Sequence, residues 1–176
     1  ESESISGNIR RGKQMHAEVG TLKIPCNRLY AYEKDKEGKI HAIPEQAEVV
    51  REIYERYMSG ASFRSLKDWL EANKIKTALG TEKWSISAIK GILMNEKYCG
   101  DLVQKKTYTP DYLTHEKKYN RGQEAYVVLR DHHAPIIPRA TFEAAGRILT
   151  ARAQSQDGQP KHSRRYPLSG KLRCGV

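Results

Sequence analysis

No apolar run in the chain approaches the roughly 20 residues that a membrane-spanning helix needs, so no spanning segment is predicted. No signal peptide opens it: Glu1 to Gly7 are polar and partly acidic. Cysteine is scarce. Cys26, Cys99 and Cys174 are odd in number and far apart. That argues against a secreted disulfide framework and for a reducing compartment. Negative charge is short, with Asp+Glu 21 against Lys+Arg 31. No stretch gathers an acid, a base and a nucleophile, as a hydrolase built on Cys99 or on His132 and His133 would need. Those two histidines are adjacent, so they point different ways and make a poor metal pair.

What is there is basic. The formal net charge is +10 and the sequence pI is about 9.5. A chain this cationic is expected to bind a polyanion, most often nucleic acid. Its 176 residues suffice for one compact domain or two small ones.

The most informative stretch is Trp84 to Asn95. A helix capped by serine is predicted there, with Ile86, Ile89 and Leu93 lining its packed face at three- and four-residue spacing. Ser85, Ser87, Ala88, Lys90 and Gly91 lie on or beside the other face, which is small, polar and free of carboxylates. Such a helix can pack on one side and enter a DNA major groove on the other, with Ser85, Ser87 and Lys90 meeting base edges. An ordinary surface helix is the alternative.

Around it, other elements follow in order. Residues 2–19 read as a weakly amphipathic helix with a basic patch of Arg10, Arg11 and Lys13, ended by Gly20. Thr21 to Leu29 is extended through Pro25. It is long enough to cross a DNA minor groove and carries Lys23 and Arg28. Leu29 to Ile43 reads as a hairpin with Tyr30 and Tyr32 in register and Gly38 at its turn. Pro44 opens a helix with the apolar stripe Val49, Val50, Ile53, Tyr54, Tyr57 and Met58. Ser62 caps a second helix carrying Phe63, Leu66, Trp69 and Leu70. A polar loop over 74–83, hinged at Gly80 and ending in Lys83, leads to the serine-capped helix. Two helices, a loop and a reading helix are the order of a helix-turn-helix, although this loop exceeds the usual length.

Tyr98–Gln104 and Ala125–Arg130 read as strands of a wing, with Lys105 to Glu124 between them. Lys105, Lys106, Lys117, Lys118 and Arg121 suit phosphates there. A last helix buries Phe142, Ala145 and Leu149. Ala153 to Ser163 reads as a linker. The tail beyond holds Arg164 and Arg165 and then a lone Cys174, which by itself binds no structural zinc. The fold class expected is α+β, mainly helical, with a winged helix-turn-helix-like core and small β-hairpins. Three parts are expected: 1–20 as the tail of an upstream linker helix, 21–152 as a DNA-binding domain, and 153–176 as a linker and a cut second domain. The chain starts without Met, and both ends are expected to be cut.

Ile24-Pro25, Tyr30-Ala-Tyr32, Gly38, Pro44 to Val50, Tyr57 to Gly60, Trp84 to Ile89, Leu93 to Gly100, His133 to Ile137 and Phe142-Glu143, in this order, resemble the recombinase domain of large serine recombinases. These are phage integrases and mobile-element transposases. Pro167 to Cys174 resembles the start of their zinc ribbon. Cys26 to Leu29 departs from the family's commoner Phe-Gly-Tyr type of run.

The resemblance implies sequence-specific binding of duplex DNA at an attachment or transposon-end half-site, inside a bacterial cytoplasm. Arg10, Arg11, Lys13, Lys83, Lys105, Lys106, Arg164 and Arg165 would serve phosphates. It implies a catalytic serine in an upstream domain and none here, with self-association through that domain. No cofactor is expected in this chain; zinc is expected in a full-length protein, where Cys174 would be a ligand. The alternative is a winged helix-turn-helix regulator with no role in recombination.

Overall fold

The computed structural model describes residues 7–8, 11–12, 14–16, 26, 28–109 and 116–157. Residues 7–8, 11–12 and 14–16 are helical, in line with the helix expected over 2–19. The first hairpin pairs β1 (Tyr32–Lys34) with β2 (Ile40–Ala42), antiparallel, with Tyr32 opposite Ala42. Gly38 turns it at φ +87°. Tyr30 is not in the strand. It sits in a turn beside Ala31, which is fully buried at φ +65°, its N–H held by Gln46 Oε1 at 2.9 Å.

α1 spans Pro44–Met58. Proline tolerates the first helical turn because the N–H it lacks would have no partner there. The stripe read from sequence buries Val50, Ile53, Tyr54 and Tyr57; Met58 is exposed. Gly60, at φ +106°, ends the run. Ser62 caps α2 (Phe63–Ala72), its Oγ accepting from Ser65 N at 3.1 Å. α3 covers Ile86–Met94 and α4 covers Arg139–Asp157. The segment read as linker from Ala153 is therefore helical as far as Asp157. Arg152 ties α4 back to α1: its guanidinium stacks on Tyr57 at 4.6 Å and donates to the Gly60 and Ala61 carbonyls.

The core is rich in tyrosine. A buried phenol costs least where its hydroxyl finds a partner, as three of these tyrosines do; the buried Tyr57 hydroxyl finds none among the described residues. Tyr54 donates to the Ile92 carbonyl and Tyr98 to the Tyr30 carbonyl, each at 3.0 Å. Tyr32 Oη lies 3.1 Å from the carbonyls of both Lys97 and Ala134. Burial pushes the Tyr30 and Tyr32 phenols up to about 12, and those of Tyr54 and Tyr98 higher still.

Tyr98 does not begin a strand. Asn95 caps a 3-10 turn over Glu96–Cys99, accepting from Lys97 N, and Gly100 closes it in the left-handed region at φ +88°. The Gly100 carbonyl then accepts from His132 and His133 N, and the Tyr98 carbonyl from Ile136 and Ile137 N. This short turn fastens the approach to α4 against the core. The strands that follow are shorter than expected. β3 (Leu102–Gln104) pairs antiparallel with β6 (Val127–Leu129). An outer pair, β4 (Thr107–Tyr108) with β5 (Lys118–Tyr119), lies within the long excursion. The fold is α+β. No helix among the described residues is long and apolar enough to cross a membrane.

Candidate nucleic-acid interface

Ser85 caps α3 as read, its Oγ accepting from Ala88 N at 3.1 Å. Its hydroxyl hydrogen is left to donate outward. The packed face is made by Ile89, Ile92 and Leu93. Ile86, expected on that face, is 47% exposed. With six apolar residues among nine, spacing alone did not fix the phase of this helix. Ser87, Ala88, Lys90, Gly91 and Met94 are exposed. A Cβ built at Gly91 would meet nothing within 4 Å. No carboxylate stands on the helix.

The long connection before α3 is held by Trp84. Its indole Nε1–H donates to the Ile75 carbonyl at 2.7 Å and its N–H to Glu71 Oε1 at 2.9 Å. The ring packs edge-on against Tyr30 at 5.3 Å. A turn closes the loop tip, with Thr77 N bonded to the Thr81 carbonyl and Gly80 at φ +77°. So the loop is long but anchored.

A groove of about 400 Å³ runs between the 28–30 segment, this loop and α3. Arg28, Lys83 and Ser85 all line it, with Thr77, Thr81 and Asn95. The fold thus brings together three residues that the sequence had assigned to separate contacts. Ser87 and Lys90 lie on the open side of α3, outside the groove.

The β3–β6 region is organised by Asn120, which sequence reasoning did not single out. Its side chain is buried and fully engaged. Nδ2 donates to the Lys105 carbonyl at 2.9 Å and the Glu124 carbonyl at 2.6 Å; Oδ1 accepts from Gly122 N and Glu124 N. Its own N–H reaches the Lys106 carbonyl, and Tyr126 donates to its carbonyl. Asn-x-Gly, with a side chain bonded two residues on, was the signal available in the sequence. Asn120→Ala is expected to cost about 1–3 kcal/mol, because four backbone groups lose their partner at once. Thermal unfolding, with hydrogen exchange over 105–126, measures it; unchanged protection there would refute the assignment.

Lys105 and Lys106 leave this hub differently, Lys105 Nζ lying 3.4 Å from Gln14 Oε1. Lys106 Nζ grips both oxygens of Glu96, at 2.7 and 2.8 Å, and stays half-exposed. Burial alone would raise the Glu96 carboxyl, but the Lys106 bonds and the nearby Lys97 ammonium outweigh it and hold it below the usual carboxylate range. The pair joins the end of β3 to the turn that follows α3. Lys117, Lys118 and Arg121 are exposed, Lys118 on β5 and the other two near its ends. Arg11 and Arg28 are exposed too. Arg10, Lys13, Lys23, Arg164, Arg165 and Cys174 lie outside the described residues.

His133 and Cys99 are both held by backbone carbonyls. His133 Nε2 is 2.7 Å from the Lys97 carbonyl. The Cys99 thiol is buried against the Glu96 carbonyl, and burial pushes it up, the reverse of an activated nucleophile. Among the described residues no group of three or more His, Cys, Asp and Glu could hold a metal ion.

A family model described as Recombinase matches residues 44–152. An uncharacterized Bacillus subtilis (strain 168) protein, YefB, is 32% identical over 82 residues, 47% of this chain and 27% of YefB. The chain thus spans about a quarter of that relative. A chain from a structural study of the sequence requirements of the Listeria innocua prophage attP site superposes with a TM-score of 0.60 at 18% identity. It covers 89% of this chain and 57% of that one, and shows a shared fold. A chain from a crystal structure of an LSR–DNA complex gives 0.49 at 20% identity, over 81% and 37%.

Proposed function

The chain belongs to the Recombinase family, and from that premise we propose that it is the DNA-binding domain of a large serine recombinase, the type its motif order resembles. In this reading it grips one half of an attachment or transposon-end site in duplex DNA. One observation carries the proposal: the exposed, carboxylate-free face of α3 stands beside a groove edged by Arg28 and Lys83. A helix of this kind fits the major groove, where Ser85, Ser87 and Lys90 meet base edges. Lys23 and Arg28 follow the minor groove. Arg10, Arg11, Lys13, Lys83, Lys105, Arg164 and Arg165 meet phosphates, which position the protein without reading sequence. Lys106 does so only with the charge that Glu96 leaves it.

Strand cleavage belongs, in this reading, to a serine in another domain of a longer protein acting in the cytoplasm, as does self-association. Zinc enters only there, with Cys174 among its ligands. The test is fluorescence anisotropy with cognate and scrambled duplexes across a salt series. Tighter cognate binding that weakens steeply with salt is expected. Equal binding to both would refute the reading, and a covalent DNA adduct formed by this chain would refute its non-catalytic part.

Arg28→Ala gives a finer check. Minor-groove side chains read mainly A·T against G·C content and groove width. The variant is expected to bind more weakly and to lose preference at the inner base pairs of the site. A footprint and affinity equal to the parent's would make the 21–29 segment a tether only.

A further inference from the structure

Among the described residues, α2 and α4 leave no large apolar side chain exposed, whereas nine-residue α3 leaves two, Ile86 at 47% and Met94 at 57%. Each stands four residues from Lys90, so Ile86, Lys90 and Met94 form one stripe along the helix, with Ser87 and Gly91 beside it. The core does not use either side chain; Ile89, Ile92 and Leu93 supply the packing. Space is open at Gly91, so a broad partner can approach the stripe. Exposed apolar residues need no explanation singly. Here two of them bracket the cation on the face proposed to enter the major groove.

In that groove the apolar feature of a base edge is the C5-methyl of thymine. We infer that Ile86 and Met94 read thymine methyl groups on either side of the base pair that Lys90 contacts. This rests on the major-groove reading of α3 and adds the base identity it selects. From Ile86 to Met94 the helix rises about 12 Å, so the two thymines fall about three to four base pairs apart when the axis follows the groove.

The probe is a duplex enriched by the 176-residue chain from a random-sequence library. Each thymine in turn is replaced by deoxyuridine, which removes the methyl and keeps the pairing. Wild type is expected to bind about fourfold more weakly at each of two positions, the effect of one buried methyl. Met94→Ala should be indifferent to the change at one position and Ile86→Ala at the other, each keeping the penalty it does not touch. Both sites are exposed, and melting curves of the variants check that they fold. Suppose every deoxyuridine duplex binds wild type as tightly as its parent, while a scrambled duplex binds more weakly. Methyl reading is then overturned and base reading by α3 survives. Variants that keep both wild-type penalties overturn the inference too. No enrichment, or equal binding to enriched and scrambled duplexes, overturns it together with the major-groove reading.

Discussion

Lys90→Ala is expected to cost about 1–3 kcal/mol on the cognate duplex and little on scrambled DNA. Lysine favours the guanine O6 and N7 acceptors, which scrambled sequence does not hold in register. The substitution disturbs nothing internal, because Lys90 is exposed in mid-helix and α3 packs through Ile89, Ile92 and Leu93. Lys105→Ala supplies the contrast. A phosphate contact should weaken both duplexes alike and lower the salt slope by roughly one unit. Anisotropy titrations across a salt series separate the two patterns. If Lys90→Ala lowers both affinities equally, α3 clamps phosphates and specificity lies elsewhere.

Gly100→Ala is expected to destabilise the fold by roughly 2–5 kcal/mol, the sum of a left-handed backbone and an overpacked contact. Gly100 sits at φ +88°, and a Cβ there would lie 2.8 Å from the His133 carbonyl oxygen, a backbone atom that cannot swing away. His133 is itself anchored, its ring Nε2 lying 2.7 Å from the Lys97 carbonyl, and the chain runs on from it to Ile136 and Ile137 in the core. Gly60→Ala is the matched control, with φ +106° and nothing within 4 Å of its Cβ. The difference in melting temperature between the two isolates the collision. Equal losses would show that the backbone conformation, and not the close approach, is what Gly100 provides.

Local signals in the sequence foretold the helices and their caps well. Pro44, Ser62 and Ser85 each start a helix where their chemistry predicts. What misled was phase and range. Apolar residues at 86, 89, 92, 93 and 94 satisfy helical spacing in more than one rotation. Only the tertiary contacts of α3 select the face with Ile92 and leave Ile86 out. Tyr98 reads as a strand former by propensity, yet Asn95 and Gly100 close a turn around it, and local capping outweighs propensity. The ion pair of Lys106 with Glu96 joins residues ten apart across the 3-10 turn and β3, whose place is set by its pairing with distant β6. The groove assembles Arg28, Thr77 and Ser85 from three distant places, so its existence is a property of the packed fold alone.

Trp84 carries a consequence for observing this protein. Its indole is 4% exposed and hydrogen-bonded, yet the residue lines the groove beside α3. The other tryptophan, Trp69, is half-buried under the Arg56 guanidinium at 4.3 Å. With Trp69 replaced by phenylalanine, the tryptophan emission, excited beyond tyrosine absorption, would come from one ring beside one cleft. The fold therefore contains its own optical label, placed where loop 77–84, the 28–30 segment and α3 converge, and an occupant that reaches the ring is expected to change its emission without a dye on either molecule.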